Sequence, residues 1–319
     1  MFVSESVHEH GVFSPPFLIS HRPLLIPRWS LLLDDDEVWQ FHAPALWIGE
    51  NWFHIIVTVQ KPGFSRTECC TSRRSDSTNI FDYSQHGRFS RLWMMALKSR
   101  MVEFKTEDGF GKGYLASPEK SRSGVLVLHA WWGLNDFFKG FANRLASQGF
   151  LALAPDLHDG ALATSVDGAK ELQSKVVDQR IKQIVLGATD YLRSDPSISG
   201  HKIGVAGFSM GAAWSLLLST LKPETVGAVV VFYGSYPVDF SKAQASFLGH
   251  FSPEDEWEPI GDVRATEEKI RGAGREVEFH FYPGTKHWFF EENRPVEYNQ
   301  DASDLAWKRT LEFLDKKLL

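Results

Sequence analysis

The chain has 319 residues and a formal net charge of −6, and it is rich in aromatics, with 24 Phe and 11 Trp. That acidic balance gives no footing for general nucleic-acid binding, and no apolar stretch is long enough to cross a bilayer. The length suits one large α/β domain or two smaller ones.

Residues 1–100 read differently from the rest. Pro15, Pro16, Pro23 and Pro27 repeatedly interrupt helix formation. Asp34, Asp35, Asp36 and Glu37 form a small acidic cluster, and Trp52 to Val59 reads as a strand because His54-Ile55-Ile56-Val57-Thr58-Val59 is rich in β-branched residues. Residues 65–91 are polar, contain arginine and follow no stable period. No closed core can be drawn, so residues 1–100 are expected to be a poorly ordered or ancillary extension, with a small separate domain or an organelle-targeting segment as the alternatives. The first residues lack the basic start, apolar run and cleavage site of a secretory peptide. Met94, Met95 and Met101 fall just before the regular domain, where a downstream translation start would also fall. Cys69 and Cys70 are the only cysteines. Adjacent in sequence, they suit neither a disulfide framework nor a paired-cysteine zinc site. This fits a cytoplasmic protein, and it means that a covalent nucleophile after residue 70 is not a thiol.

From Met101 the pattern becomes orderly. Met101 to Thr106 and Gly113 to Ala116 read as a first strand and its return around Asp108-Gly109. Gly124 to His129 is a continuous apolar strand of the kind buried on both faces of a parallel sheet. Phe137 to Gln148 has helical spacing at Phe138, Phe141 and Leu145, and Phe150 to Ala154 is a further buried strand. Residues 165–193 hold two helical segments, the second with Ile181, Ile184, Val185 and Leu192. Ile203 to Ala206, Ala228 to Tyr233, Ala245 to Gly249 and Val277 to Tyr282 are strands, and a last helix covers about Asp301 to Leu314. Strands alternating with helices predict an α/β fold, a mostly parallel central sheet covered by helices on both faces. In such sheets ligands collect beyond the carboxyl ends of the strands.

The chemistry centres on Gly207-Phe208-Ser209-Met210-Gly211, which joins the strand ending at Ala206 to a helix-compatible run, Ala212 to Ser219. G-x-S-x-G between a strand and a helix puts a serine at the apex of a sharp turn, with the following amide, that of Met210, facing a developing oxyanion. A neutral serine needs a base, and the base needs an orienting carboxylate. His250, His280 and His287 follow Ser209. His280 alternates within a strand and reads as structural. His287 hangs from the loop after the last strand and is the candidate base. Ser252-Pro253-Glu254-Asp255-Glu256 follows a strand where the acid belongs; Asp255 is the candidate, with Glu254 and Glu256 as fallbacks. The loop His129-Ala130-Trp131-Trp132 suits a second oxyanion donor, the amide of Trp131. Trp132, Tyr233 and Trp288 are candidates for an aromatic substrate pocket, and Trp132 reads equally well as a core residue.

These stretches, with Leu153-Ala154-Pro155-Asp156-Leu157 and Tyr282 to Phe290, resemble the dienelactone hydrolase family of α/β-hydrolases. The likeness covers residues 101–319, which it marks as a catalytic domain, and nothing earlier. It implies the α/β-hydrolase fold, with Ser209 as nucleophile, Asp255 as acid, His287 as base, and the Met210 and Trp131 amides as oxyanion donors. The best-known members use cysteine where this chain has Ser209 and glutamate where it has Ala130. The two departures are consistent, because a serine presents no thiolate to manage. Members acting on dienelactone hold the substrate carboxylate with arginines, and none follows His287 immediately. The expected activity is therefore serine-dependent hydrolysis of small carboxylic esters or lactones, with no metal or organic cofactor. Specific dienelactone hydrolysis, action on amides or thioesters, and a non-catalytic scaffold that binds a ligand or protein are the alternatives. The expected partner is the small-molecule substrate, with neither nucleic acid nor membrane; monomer and homodimer both fit.

Overall fold

The computed structural model describes residues 97–198 and 202–319, and the backbone alone of 29–33, 37–49, 52–61 and 64–73. The chain divides into two units, Met1–Arg91 and Leu92–Leu319.

In the first unit, β1 (Trp29–Leu33), β2 (Glu37–Gly49), β3 (Trp52–Lys61) and β4 (Phe64–Arg73) form an antiparallel sheet in chain order. The β-branched run from His54 to Val59 lies within β3. The polar stretch from Ser65 to Arg73, read as irregular, is instead β4. Its pairing with β3 supplies an order that its own side-chain types do not announce. The proline-bearing segment before Trp29 and the acidic residues 34–36 lie outside the described residues.

The second unit is built on an eight-stranded sheet. Its strands are β5 (Lys98–Thr106), β6 (Gly109–Ser117), β7 (Ser123–Leu128), β8 (Phe150–Pro155), β9 (Ile203–Phe208), β10 (Val226–Phe232), β11 (Ser246–Phe251) and β12 (Val277–Phe281). Their order is β12-β11-β10-β9-β7-β8-β6-β5. From β12 to β8 every pair is parallel, while β6 runs antiparallel to both β8 and β5. The helices are α1 (Asp136–Ser147), α2 (Val166–Lys175), α3 (Asp178–Arg193), α4 (Met210–Leu221), α5 (Ile260–Gly272) and α6 (Gln300–Leu318). This is the α/β-hydrolase fold expected from the sequence.

Alternation along β7 explains the layers. Val125 and Val127 face one core, shared with Phe138, Phe141 and Leu145 of α1 and with Ala306 and Leu314 of α6. Leu126 and Leu128 face the other, shared with Ile184 and Leu192 of α3, Leu216 of α4 and Ile270 of α5. The sequence did not announce α5: only Val263, Thr266 and Ile270 of its 13 residues are buried, too thin a stripe to register as helical periodicity. No helix among the described residues is long and apolar enough to cross a membrane.

Candidate active site

Six strands of the central sheet release their chains at one edge. Trp131 follows β7, His158 follows β8, Ser209 follows β9, Tyr233 follows β10, Asp255 follows β11 and His287 follows β12.

Ser209 has φ 50 and ψ −113, between a fully buried strand and the first residue of α4. An L-residue held there costs about 1–3 kcal/mol, which only a well-packed surround maintains. That surround is tight. A Cβ on Gly207 would run into Ser215 Oγ and the Gly211 carbonyl, and one on Gly211 would run into the Leu128 and His129 carbonyls. The second contact sets the loop after β7 against the start of α4. The Met210 amide opens α4 and has no acceptor within the helix.

His287 Nε2 lies 3.0 Å from Ser209 Oγ, and His287 Nδ1 lies 2.7 Å from Asp255 Oδ2. The Asp255 and His287 side chains are only 2% and 5% exposed, so bulk water competes little for these bonds. Asp255 Oδ1 is held by the amides of Trp257 and Glu258, at 2.8 and 2.9 Å. An ionised carboxylate can only accept, so Nδ1 carries the imidazole proton and Nε2 accepts from the Ser209 hydroxyl. Two bonds pin the loop bearing His287: the Thr285 hydroxyl donates to the Tyr282 carbonyl (2.6 Å), and the Ser252 hydroxyl to the Thr285 carbonyl (2.7 Å). The fallback acids Glu254 and Glu256 are exposed and make no bond to His287. His250 is buried, its ring nitrogens bonded to the Tyr282 and Thr310 hydroxyls, and burial pushes its pKa well below the usual value. His280 is half-buried beside Glu278, 3.0 Å away.

The loop after β7 is braced by His129. The Leu157 amide donates to its Nε2 (3.0 Å), so its Nδ1 carries the proton and donates to the Ala130 carbonyl (2.6 Å). Burial pushes this imidazole down to about 4, which keeps it neutral and able to accept. The Gly133 amide reaches back to the Ala130 carbonyl, so Trp131 and Trp132 form the middle of a turn. Gly133 sits at φ 84.

Aromatic rings wall the site. Tyr233 and Trp288 flank His287, with ring centroids at 4.9 and 4.8 Å. Trp132 packs on Trp288 at 5.2 Å rather than on His287. These three candidates are at most 4% exposed and form a wall behind the site. The sequence reading passed over Trp257, which is 42% exposed and packs on Trp131 and Trp288 at 5.2 and 5.5 Å. Its place two residues after Asp255 was the available signal. It also passed over Glu291, whose burial only its apolar neighbours Trp288-Phe289-Phe290 hint at. The Tyr233 hydroxyl donates to Glu291 Oε1 at 2.8 Å, and burial pushes the Glu291 carboxyl up to about 8. The Arg294 guanidinium lies over Trp132 and Trp288, at 3.9 and 4.7 Å. Among the described residues, no group of three or more His, Cys, Asp or Glu side chains is arranged to hold a metal ion.

The family model described as "Dienelactone hydrolase family" matches residues 112–318. Protein usf of Aquifex pyrophilus is 29% identical over 228 residues, covering 69% of this chain and 99% of that protein. The crystal structure of a dienelactone-hydrolase-like promiscuous phosphotriesterase from metagenomic libraries aligns with a TM-score of 0.64 at 24% identity, over 70% of this chain and 99% of that one. A dienelactone hydrolase from Anabaena variabilis aligns with a TM-score of 0.54 at 21% identity, over 70% and 99% of the respective chains. At these identities the two structures speak for a shared fold.

Proposed function

The chain belongs to the dienelactone hydrolase family, and from that premise we propose that it is a serine-dependent hydrolase of small carboxylic esters or lactones, working through an acyl-enzyme. The observation that carries this reading is the continuous chain of hydrogen bonds from Ser209 through His287 to Asp255. Ser209 Oγ attacks the ester carbonyl while His287 Nε2 takes its proton; Asp255 holds the imidazole and stabilises the imidazolium. The amides of Met210 and Trp131 bind the tetrahedral oxyanion, where one such donor is typically worth about 3–4 kcal/mol of barrier. His287 then protonates the leaving alkoxide and, in the second half-reaction, activates water against the acyl-enzyme. Neither step needs a metal or organic cofactor.

The wall of Trp131, Trp257 and Trp288 favours a neutral, partly apolar substrate. We also place the protein in the cytoplasm, in keeping with its two adjacent cysteines. The catalytic domain, expected from about residue 101, is taken to begin with β5 at Lys98, with the residues before it as an ancillary extension.

A panel of short acyl esters and lactones, including a dienelactone, tests the reading. Ser209→Ala is expected to lower kcat by at least about 10³-fold and to abolish stoichiometric labelling by an organophosphonate. Labelling that persists in the alanine variant would remove Ser209 from the chemistry.

A further inference from the structure

Tyr233 and Glu291 form a buried pair that the proposed reaction does not use. Tyr233 follows β10 at φ 38, and its amide donates to the His250 carbonyl at 2.8 Å, so its backbone is fixed in a sparsely populated conformation. Its ring is fully buried and lies against the His287 imidazole on one side and Phe289 on another, at 4.9 and 5.7 Å. Among the described residues its hydroxyl has one partner, Glu291 Oε1. Glu291 is itself fully buried, four residues beyond His287 on the same loop, and its amide closes a turn onto the Trp288 carbonyl at 2.9 Å. Its Oε2 has no hydrogen-bond partner among the described residues. A buried carboxyl with one oxygen unpaired is expensive to keep. Here it spans two loops, fastening the ring that packs on the imidazole to the loop that carries the imidazole.

We propose that Glu291 and Tyr233 are positioning residues for His287: Glu291 anchors the Tyr233 hydroxyl, and the anchored ring holds the imidazole in line with Ser209 and Asp255. Asp255 and Ser209 hold His287 within the ring plane through Nδ1 and Nε2, but these two bonds leave the imidazole free to rock about the line that joins them. Contacts on the ring from Tyr233 and Trp288 remove that freedom, and Trp288, at φ 65, is likewise locked by its backbone. Burial keeps Glu291 a neutral acid at neutral pH. Glutamine therefore reproduces both its charge and the acceptor oxygen that Tyr233 uses, whereas leucine removes the acceptor. The charged groups facing the pair are Arg294 and Glu297, from the loop beyond Glu291, and Asp255, from the loop after β11.

The inference rests on His287 acting as the base, so the test reads both the reaction and the imidazole itself. Tyr233→Phe, Glu291→Leu and Glu291→Gln are compared by kcat and KM on the best ester of the panel, per site titrated with organophosphonate. The proton in the His287 Nδ1–Asp255 hydrogen bond is followed by NMR in the same proteins. Tyr233→Phe and Glu291→Leu should lower kcat about tenfold with KM within twofold of wild type, and should broaden or abolish the proton resonance. Glu291→Gln should recover most of both. A resonance and kcat unaltered in Tyr233→Phe and Glu291→Leu would overturn the proposal, as would a loss confined to the number of titratable sites, which marks a merely structural pair. If the wild type hydrolyses no ester and yet the resonance responds as expected, the hydrolase reading fails and the positioning role stands.

Discussion

Ser209, the nucleophile of the proposed reaction, shows why such a residue needs its neighbours more than its own chemistry. At φ 50 the residue pays for its exposure in backbone strain, and the two flanking glycines make the strained turn possible. Gly211→Ala places a methyl group against the Leu128 and His129 carbonyls, which belong to the end of a central strand and the braced loop residue after it and cannot give way. A loss of at least about 2 kcal/mol is expected, read from the urea midpoint of the isolated protein; an unshifted midpoint would contradict the crowding argument. Asp255 acts at the same scale through the proton it assigns. In Asp255→Asn the amide nitrogen can face Nδ1 and donate to it, leaving the imidazole proton on Nε2, where it points at Ser209. The serine then has no base. The kcat of ester hydrolysis should fall by about 10⁴-fold with KM little changed. A loss expressed mainly in KM would instead make Asp255 a substrate-binding group.

At the scale of elements, the loop between β7 and α1 is set at both ends. His129 ties its beginning to Leu157, and Asn135 caps α1 by accepting from the Phe137 and Phe138 amides at 3.0 and 3.4 Å. Asn135→Ala should cost about 1 kcal/mol of stability, seen as a lowered thermal midpoint, while Asn135→Ser should recover most of it. Equal midpoints for the alanine and serine variants would mean that the cap contributes nothing. The same loop marks the boundary of what the sequence makes legible. The strands β7, β8 and β9 are buried on both faces and read as unbroken apolar runs, and turns with a chemical signature, such as Gly207 to Gly211, can be recognised on sight. His129, read as the end of a strand, is instead the first residue of the loop, because its side chain bonds two backbone groups 27 residues apart. Helix α5 and strand β4 carry little pattern of their own: α5 buries only three side chains, and β4 takes its order from the hairpin it makes with β3. Glu291 is the extreme case: a glutamate in an apolar stretch gives no hint of its partner, 58 residues earlier.

For the catalytic unit as a whole, buried titratable groups set how stability varies with pH, and they act from opposite sides. Burial lowers His129 and His158 to about 4 and depresses His250 in the same direction. Between an unfolded value near 6.5 and these lowered values, the unfolded chain binds protons that the folded protein refuses, so stability is lost as the pH falls through that window. Glu291 works the other way. Its folded value of about 8 stands above the ordinary 4.5, so through that interval the folded protein keeps a proton that the unfolded chain has released. Its contribution is full at low pH and is lost as the pH rises. Above about pH 7.5 the histidines are neutral in both states, and of these groups only Glu291 still changes the balance. Relative to Glu291→Gln, which has no proton to release, the wild type should therefore lose about 1.5 kcal/mol of stability between pH 6.5 and 8. Urea unfolding of the two proteins across that range decides it. Parallel curves would mean that Glu291 is ionised inside the fold at neutral pH, and with that the choice of glutamine as its neutral mimic beside Tyr233 would fall.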